Sequence, residues 1–300
     1  MGPVEPSETL EVTVRRLSDD LAARLARAGM AHHAPGLCQL IAPSARMDSA
    51  PADESEIALG DSKLGGRPDL PPGFEWPLYQ GAPQSFIAQI DLGSLPTLGS
   101  AFAMPTSGLL SFFYDSRQSV WGFDPAETDA WVVHYTPNIG HLIRHEPPAG
   151  LPDEAVFGAA RLRPRLELTC APEESGDVAL LGLTDDESFA YSDIVEQLID
   201  PDDEPVHRLF GHPDPIQGDM QLECQLVAHG LYCGDPSGYQ DPRARDLEPG
   251  ALDWRLLLQV DTNEEIGMMW GDVGRIYYWM RNSDRVALRW QEARLILQSG

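Results

Sequence analysis

The chain contains an internal repeat, which limits its possible folds more than any other feature of the sequence. Three blocks occur twice in the same order. The offset between the copies rises from 145 to 170 residues after the first block and then falls to 166, so the second copy carries a 25-residue insertion. The paired blocks are KLGGRPD at 63–69 with RLFGHPD at 208–214, FIAQID at 86–91 with LLLQVD at 256–261, and the aromatic runs after Gly108 and Gly274.

Each copy predicts a Gly/Pro turn, a strand, a connection and a second strand. The runs FIAQID and LLLQVD are short and apolar, which is typical of strands buried on both faces. The runs LLSFFYD and RIYYWM are rich in aromatic residues, which pack well on a pleated sheet. Further strands are predicted at 131–135, 142–143 and 166–168. We therefore expect an α+β protein with an internally duplicated, mainly antiparallel β core, an N-terminal helix and a few peripheral helices.

The same patterns divide the chain into four segments. Two of these segments are the β repeats, which we expect to form one compact domain together. The N-terminal helix should begin near Ser18, or as early as Ser7, and end before Gly29. The polar stretch at 48–62 is typical of a mobile loop. The segments are an N-terminal helical segment (1–50), a first β repeat (51–165), an acidic connector with one helix (166–206) and a second β repeat (207–300).

The charge of the chain is strongly negative and unevenly distributed. The sequence has 47 acidic against 21 basic residues, a formal net charge of -26. Thirteen of the acids lie between Arg165 and Arg208, where no Lys or Arg occurs. This balance disfavours binding to nucleic acid or to an anionic membrane surface. Within this connector Thr184 and Glu187 form a capping box, which predicts a helix over 185–199. The surrounding acids indicate either a solvated surface or a site for a basic partner.

Common signatures of catalysis and export are missing. The sequence contains no G-x-S-x-G, G-x-G-x-x-G, Walker A or H-E-x-x-H motif, which disfavours the hydrolase, nucleotide-binding and zincin classes. It has no apolar run of about eighteen residues, and its first residues lack the apolar core of a signal peptide. Its four scattered cysteines indicate a reducing compartment. We therefore expect a cytoplasmic protein that does not cross a membrane.

Several blocks together resemble the YwqG-like family of bacterial proteins, a family of unknown function. The blocks are SKLGGRPDLP, the pair Trp76-Pro77, FIAQIDL, GLLSFFYD, PIQGDMQLECQ, DWRLLLQVD and MMWGDVGRIYYW, and the similarity extends from about residue 20 to the C-terminus. The resemblance implies an α+β fold with a duplicated β core and names no reaction. Because some relatives are associated with bacterial toxin genes, it also implies an immunity or protein-binding role. The acidic connector is not part of the family pattern.

The first block contains one set of candidate ligand-binding residues. Lys63 is the only lysine of the chain, and it lies close to Gly65, Gly66 and Arg67. Bare backbone N–H groups and two cations can form a concave site for an anion. Arg208 stands at the matching position of the second copy. Alternatively, Lys63 pairs with one of the many acids, and the glycines serve only the turn geometry.

The insertion in the second copy contains a further set of candidates. Asp219 is suited to cap a helix over 220–229, although the alternation of apolar residues fits a strand equally well. The loop after it carries two tyrosines, and loops on a rigid scaffold often carry function. The candidate ligand-binding residues in this part of the chain are His212, Asp219, Glu223, Tyr232 and Tyr239.

We expect no metal site and no cofactor. His141 and His145 are four residues apart, but the apolar pair between them predicts a strand rather than a shared helix face. Asp261 and Asp272 match the ends of a calcium-loop template whose glycine is displaced by one position, so cation binding at these two residues stays open.

These observations favour a cytoplasmic, non-enzymatic module that binds a protein partner. The acidity favours a basic partner, and immunity against a basic toxin is one version of this hypothesis. The alternative is an enzyme or a small-anion-binding protein, with a pocket between the two repeats near Lys63, His212, Asp219 and Glu223. The sequence leaves the oligomeric state open.

Overall fold

A computed structural model describes residues 10–95, 104–198 and 205–300. The described residues form eight helices and fourteen strands. The helices are α1 (Leu10–Arg27), α2 (Ala34–Gln39), α3 (Gly176–Ala179), α4 (Asp185–Glu196), α5 (Gln221–Ala228), α6 (Ser237–Gln240), α7 (Ala244–Leu247) and α8 (Asn282–Val286). The strands are β1 (Ala42–Pro51), β2 (Lys63–Leu64), β3 (Asp69–Leu70), β4 (Leu78–Tyr79), β5 (Ala82–Pro83), β6 (Ser85–Asp91), β7 (Leu109–Tyr114), β8 (Trp131–Thr136), β9 (Ile143–Arg144), β10 (Ala160–Thr169), β11 (Arg208–Leu209), β12 (Trp254–Asp261), β13 (Arg275–Arg281) and β14 (Arg294–Gln298).

Ten of these strands form one antiparallel sheet, in the order β14-β13-β12-β11-β1-β10-β2-β6-β7-β8. The two long strands at its centre, β1 and β10, pair over ten residues. On one side of this pair follow β2, β6, β7 and β8, and on the other side follow β11, β12, β13 and β14. The strands of the first repeat thus lie on one side and those of the second repeat on the other, in matching order.

The central strands connect these two sides crosswise. Strand β1 precedes the first copy in sequence, yet it pairs with β11 of the second copy, Arg46 opposite Arg208. Strand β10 precedes the second copy and pairs with β2 of the first, Arg161 opposite Lys63. The leading strand of each copy therefore extends the sheet of the other copy.

The sheet curls until it is nearly barrel-shaped, and its two ends contact each other. The Tyr278 hydroxyl donates a hydrogen bond to the Phe113 carbonyl at 3.1 Å. The Trp131 indole N–H donates to the Ala293 carbonyl at 2.8 Å. Each half also has a register shift at a matching place, between Phe86 and Ala88 and between Leu256 and Leu258. Such bulges increase the bending of a strand, which favours this closure.

The helices cover the outside of the sheet in two groups. Helices α1 to α4 pack on one another around Leu21, Leu25, Tyr191 and Ile194. Helix α5 lies on the outer face of the second half, where Met220 and Cys224 contact apolar residues of β12 and β13. None of the described helices has the length and apolarity needed to cross a membrane.

The expected α+β class, the mainly antiparallel sheet, the N-terminal helix and the small helices are confirmed, and the duplication stays a prediction. The connector helix forms behind the Thr184–Glu187 capping box, and the insertion forms helix α5 rather than a strand. The N-terminal helix starts at Leu10, and the earlier start at Ser7 lies outside the described residues. The prediction of a loop over 48–62 is wrong in its first part, because 48–51 complete strand β1. The predicted segment boundaries at 50/51 and 165/166 fall inside β1 and β10.

The closure of the sheet yields a stability prediction at Gly122, whose φ is +99° and whose added Cβ would lie 2.2 Å from the Leu295 carbonyl oxygen. We expect Gly122→Ala to lower the unfolding free energy by about 2–4 kcal/mol, through left-handed strain and overpacking together. Chemical denaturation measures this loss. Gly73→Ala is the control, because Gly73 has a φ of +78° and no atom within 4 Å of an added Cβ. Equal losses in both variants would contradict the closure.

Candidate functional site

The predicted anion site around Lys63 is occupied by a carboxylate of the chain itself. The backbone N–H of Arg67 donates to Glu54 Oε1 at 2.7 Å. Lys63 Nζ lies 3.5 Å from Glu54 Oε2, and Arg144 Nη1 lies 3.1 Å from the same oxygen. An added Cβ on Gly66, whose φ is +66°, would lie 1.8 Å from Glu54 Oε1, so a glycine is needed there. The loop therefore has the chemistry of an anion site, and Glu54 is its ligand.

Lys63 itself is completely buried and belongs to a network of four charges. Its Nζ lies 3.6 Å from Asp69 Oδ2, and Arg144 Nε lies 2.8 Å from Asp69 Oδ1. Burial lowers the pKa of the Lys63 amine, and the charges of Asp69 and Glu54 oppose this shift. Two cations thus face two anions, and the network is balanced without an external ligand.

The second copy uses its block in the same way. Arg208 Nη1 lies 2.8 Å from Asp214 Oδ2, and Arg208 Nε lies 3.1 Å from Glu167 Oε2. The backbone N–H of His212 donates to the Thr169 hydroxyl at 2.9 Å, where Arg67 of the first copy contacts a carboxylate. Arg208 also donates to the His212 carbonyl, as Lys63 does to the Arg67 carbonyl.

A glutamine within each apolar strand holds the aspartate that ends each block. Gln89 Oε1 accepts from the Asp69 N–H and Gln89 Nε2 donates to Asp69 Oδ2, both at 2.8 Å. Gln259 makes the same two hydrogen bonds with Asp214, both at 2.9 Å. We call this reciprocal pair the Asp–Gln latch. The side chains that make the repeat recognisable are thus engaged in holding each turn against the sheet.

The alternative function requires one pocket beside both repeat blocks. The order of the strands in the sheet keeps the two blocks apart. Strands β1 and β10 lie between β2, which carries Lys63, and β11, which carries Arg208. His212 is engaged on its own side, since its Nε2 lies 2.7 Å from the Leu40 carbonyl and burial lowers its pKa to about 4. A cavity of about 20 Å³ beside His212 and Asp219 has room for one water molecule.

The structure does bring together three of the candidates on α5 and the loop after it. Asp219, two residues before α5, accepts from the Gln221 N–H at 3.2 Å and from the Leu222 N–H at 3.3 Å. The Tyr239 hydroxyl donates to Glu223 Oε2 at 3.4 Å, while Glu223 Oε1 is buried and has no hydrogen-bond partner among the residues that the structure describes. Burial raises the pKa of Glu223 to about 7, and the charge of Asp219 adds to this shift. Tyr232 and Tyr239 are both more than 40% exposed.

A larger cavity, which the sequence did not predict, lies beside the centre of the sheet. It has a volume of about 290 Å³ and lies between α1, β10, α4 and the turn after β11. Arg165, Arg46 and Arg208 line it from three adjacent strands. Glu167 lies among these guanidinium groups, 3.6 Å from Arg46 and 3.1 Å from Arg208. We call this space the central cavity. Of the predicted ligand-binding residues, Arg208 is on its wall.

The acidic connector exposes two large apolar side chains to solvent. Leu180, just after α3, and Phe189, on α4, are each 71% exposed, more than any other large apolar side chain of the described residues. Four exposed acids share α4 with Phe189, and within the described parts of the chain no ion pair joins them to a Lys or Arg. These acids are Asp185, Asp186, Asp193 and Glu196. We call these six residues the α3–α4 surface.

The residues weighed for metal binding in the sequence lie in separate surroundings. His145 Nε2 lies 3.2 Å from the Pro71 carbonyl, and His141 is an exposed residue on a short turn. Asp261 forms an ion pair with Arg275 at 3.0 Å and accepts from the Val206 N–H at 2.8 Å. The Asp261 carboxylate thus has protein partners already.

The internal ligand of the first block can be tested by Glu54→Gln. This change leaves the buried cations of Lys63 and Arg144 with one carboxylate instead of two, and we expect a loss of unfolding free energy of about 2–4 kcal/mol. Glu56→Gln, in the same short turn but exposed, is the matched control and should cost less than about 0.5 kcal/mol. Urea denaturation measures both. If the two variants are equally stable, Glu54 does not hold the loop.

Glu223 provides a test that depends on pH. Because the folded state raises the pKa of this carboxyl to about 7, ionisation costs stability as the pH rises from the usual carboxyl range through 7, and below that range no cost remains. We expect Glu223→Gln to gain stability over the parent chain between about pH 4.5 and pH 8, by at most on the order of 3 kcal/mol. Urea denaturation along this range measures the difference. Glu248→Gln, at an exposed position, should show no such trend.

Comparison of the sequence with known proteins identifies the family of the chain. A search of curated proteins gives no match. The model of the family described as "Domain of unknown function (DUF1963)" matches residues 62–299, which include both copies of the repeat and the acidic connector. Helices α1 and α2, strand β1 and Glu54 precede the matched range. The more specific resemblance to YwqG-like proteins stays a prediction. Because the match covers most of the sequence, the chain belongs to the DUF1963 family.

Proposed function

We propose that the protein is a non-enzymatic binding protein and that its α3–α4 surface binds a basic protein partner. The observation that carries this proposal is the 71% exposure of Phe189 on α4, where Asp185 and Asp193 lie one helical turn to either side of it, together with the equal exposure of Leu180 just after α3. Large apolar side chains that remain in water and have polar residues around them are a common mark of an interaction site. An aromatic anchor inside a rim of one charge is typical of a surface that selects a partner of the opposite charge.

The distribution of charge supports a basic partner. The basic residue that opens each repeat block is neutralised inside the protein. Lys63 pairs with Glu54 and Asp69, and Arg208 pairs with Glu167 and Asp214. The net charge of -26 therefore comes from the rest of the chain. A field of this sign accelerates encounter with a cationic protein and repels nucleic acid.

A second function, the binding of a small anion or a reaction on one, has the central cavity in its favour. Its volume of about 290 Å³ is at the lower end of the range for ligand pockets, and arginines line it from three strands. The chain supplies carboxylates there as well, since Glu167 contacts two of these arginines. This internal neutralisation makes an external anion a weaker explanation of the cavity than a partner is of the exposed α3–α4 surface.

The proposal also covers the type of partner, the cellular compartment and the origin of the two halves of the sheet. A basic toxin neutralised by an immunity-like protein is one concrete form, consistent with the resemblance to YwqG-like proteins. The reduced state of the four cysteines is consistent with a bacterial cytoplasm. We also infer that the four strands on one side of the central pair and the four on the other are copies of one β unit, because their turns, latches and bulges correspond.

The proposal can be tested by native capture followed by binding measurements on the recovered partner. We expect a basic protein whose affinity falls as salt concentration rises. The double variant Leu180→Ser/Phe189→Ser should weaken its binding at least about tenfold. Asp185→Asn/Asp186→Asn should flatten the dependence on salt.

The matched control is Leu59→Ser/Leu78→Ser, which changes two apolar side chains that are also more than half exposed but lie outside the connector. This control should bind as the parent chain does. A partner that is acidic or insensitive to salt, or one that binds the α3–α4 variants with unchanged affinity, would refute the proposal. Retention of a small molecule and no protein would favour the central cavity instead.

A further inference from the structure

Two histidines from the N-terminal helices converge on one carboxylate of the connector. His32 and His33 lie in the turn between α1 and α2, and Glu187 lies in the first turn of α4. One ligand atom from each lies within 4.8 Å of the other two. We propose that His32, His33 and Glu187 form a binding site for one divalent transition-metal ion, best suited to Zn²⁺. This inference is independent of the partner proposed above.

The separation of His32 and Glu187 suits a metal of this size. His32 Nε2 lies 3.3 Å from Glu187 Oε1, whereas His33 Nε2 lies 3.5 Å from the other oxygen, Oε2, and one ligand atom from each of the three residues lies within 4.8 Å of the other two. Tetrahedral Zn²⁺ with bonds of about 2.0–2.1 Å places its ligand atoms about 3.3–3.4 Å apart. The His32 side chain is 63% exposed, so it has room to rotate and adjust its distance to His33.

Simple hydrogen bonding explains this arrangement less well. A hydrogen bond between a charged imidazole and a carboxylate is about 2.7–2.9 Å long, and both observed distances exceed this. The two ring centroids are 4.0 Å apart, which is close enough for one ion to contact both imidazoles.

The carboxylate is held in place by its own helix rather than by the histidines. Glu187 Oε2 accepts hydrogen bonds from the Thr184 N–H and the Thr184 hydroxyl, both at 2.9 Å. Such outer contacts fix the orientation of a metal ligand before the ion arrives. Glu187 Oε1 remains directed towards His32.

The ligand types select the class of metal. Two imidazole nitrogens and one carboxylate oxygen suit Zn²⁺, Cu²⁺ or Ni²⁺, whereas Ca²⁺ and Mg²⁺ prefer sites made of oxygen alone. The ion would join residues 32 and 33, which precede the family match at 62–299, to α4 inside it. It would thus fasten the N-terminal helices to the acidic connector. A solvent molecule would complete the coordination, because His32 is on the surface.

The experiment uses the full chain, freed of metal with a chelator and titrated with Zn²⁺ in a calorimeter. We expect one ion per chain, a dissociation constant in the micromolar range or lower, and a rise of the melting temperature with Zn²⁺. His32→Ala/His33→Ala should weaken binding at least about tenfold and abolish the rise. Glu187→Gln should weaken binding as well, while its amide preserves the capping box and therefore the fold.

His141→Ala, at an exposed histidine elsewhere, is the control and should bind as the parent chain does. Cobalt provides a second measurement, because a four-coordinate Co²⁺ site absorbs visible light strongly. The proposal is overturned if the parent chain takes up no Zn²⁺, if His32→Ala/His33→Ala binds it equally well, or if Ca²⁺ and Mg²⁺ bind with the same affinity. The last two results would assign the ion to the acidic surface or to the cysteines.

Discussion

The Asp–Gln latch is the interaction on which the rest of the sheet depends. The strands that precede the two Gly/Pro turns, β2 and β11, are each only two residues long. So short a strand makes few backbone hydrogen bonds with its neighbours. Gln89 and Gln259 supply the missing ones from the neighbouring strand, since each both donates to and accepts from an aspartate. A buried amide and carboxylate satisfied in this way are specific for one geometry. The latch thereby holds the turn after β2 against β6 and the turn after β11 against β12.

The burial of cations is a second consequence of the latch. Asp69 and Asp214 each bring a negative charge into the protein, and the basic residue that opens the same block neutralises it. Lysine and arginine are both acceptable, because the partner needs a positive charge rather than amine chemistry. The first copy adds Glu54 and Arg144 to this balance, and the second adds Glu167. The basic residue that opens each block is thus neutralised inside the protein and does not offset the negative charge of the remaining chain.

Elements whose residue pattern lies within one short segment could be predicted from the sequence, and those that depend on distant segments could not. Apolar runs and a capping box are local, so the strands β6, β7, β12 and β13 and helix α4 could be predicted. Strand β1 could not, because Pro43, Ser44 and Asp48 interrupt any apolar pattern and the strand is stabilised by β10, more than a hundred residues away. The role of Glu54 was hidden for the same reason: its contacts with Lys63 and Arg144 depend on three segments meeting. The glutamine within each apolar run was the one visible sign of the latch.

The crosswise placement of β1 and β10 has a consequence for how the chain folds. The first copy cannot complete its sheet until β10 has been made, and β1 must wait still longer for β11, which follows it by more than 150 residues. During synthesis β1 therefore leaves the ribosome early and remains without one of its neighbours until the second copy emerges. Contacts of such long range make folding slow. An unpaired edge of this kind also invites pairing with another nascent chain. The same exchange of strands then joins the two halves, so that neither can open without disrupting the sheet of the other.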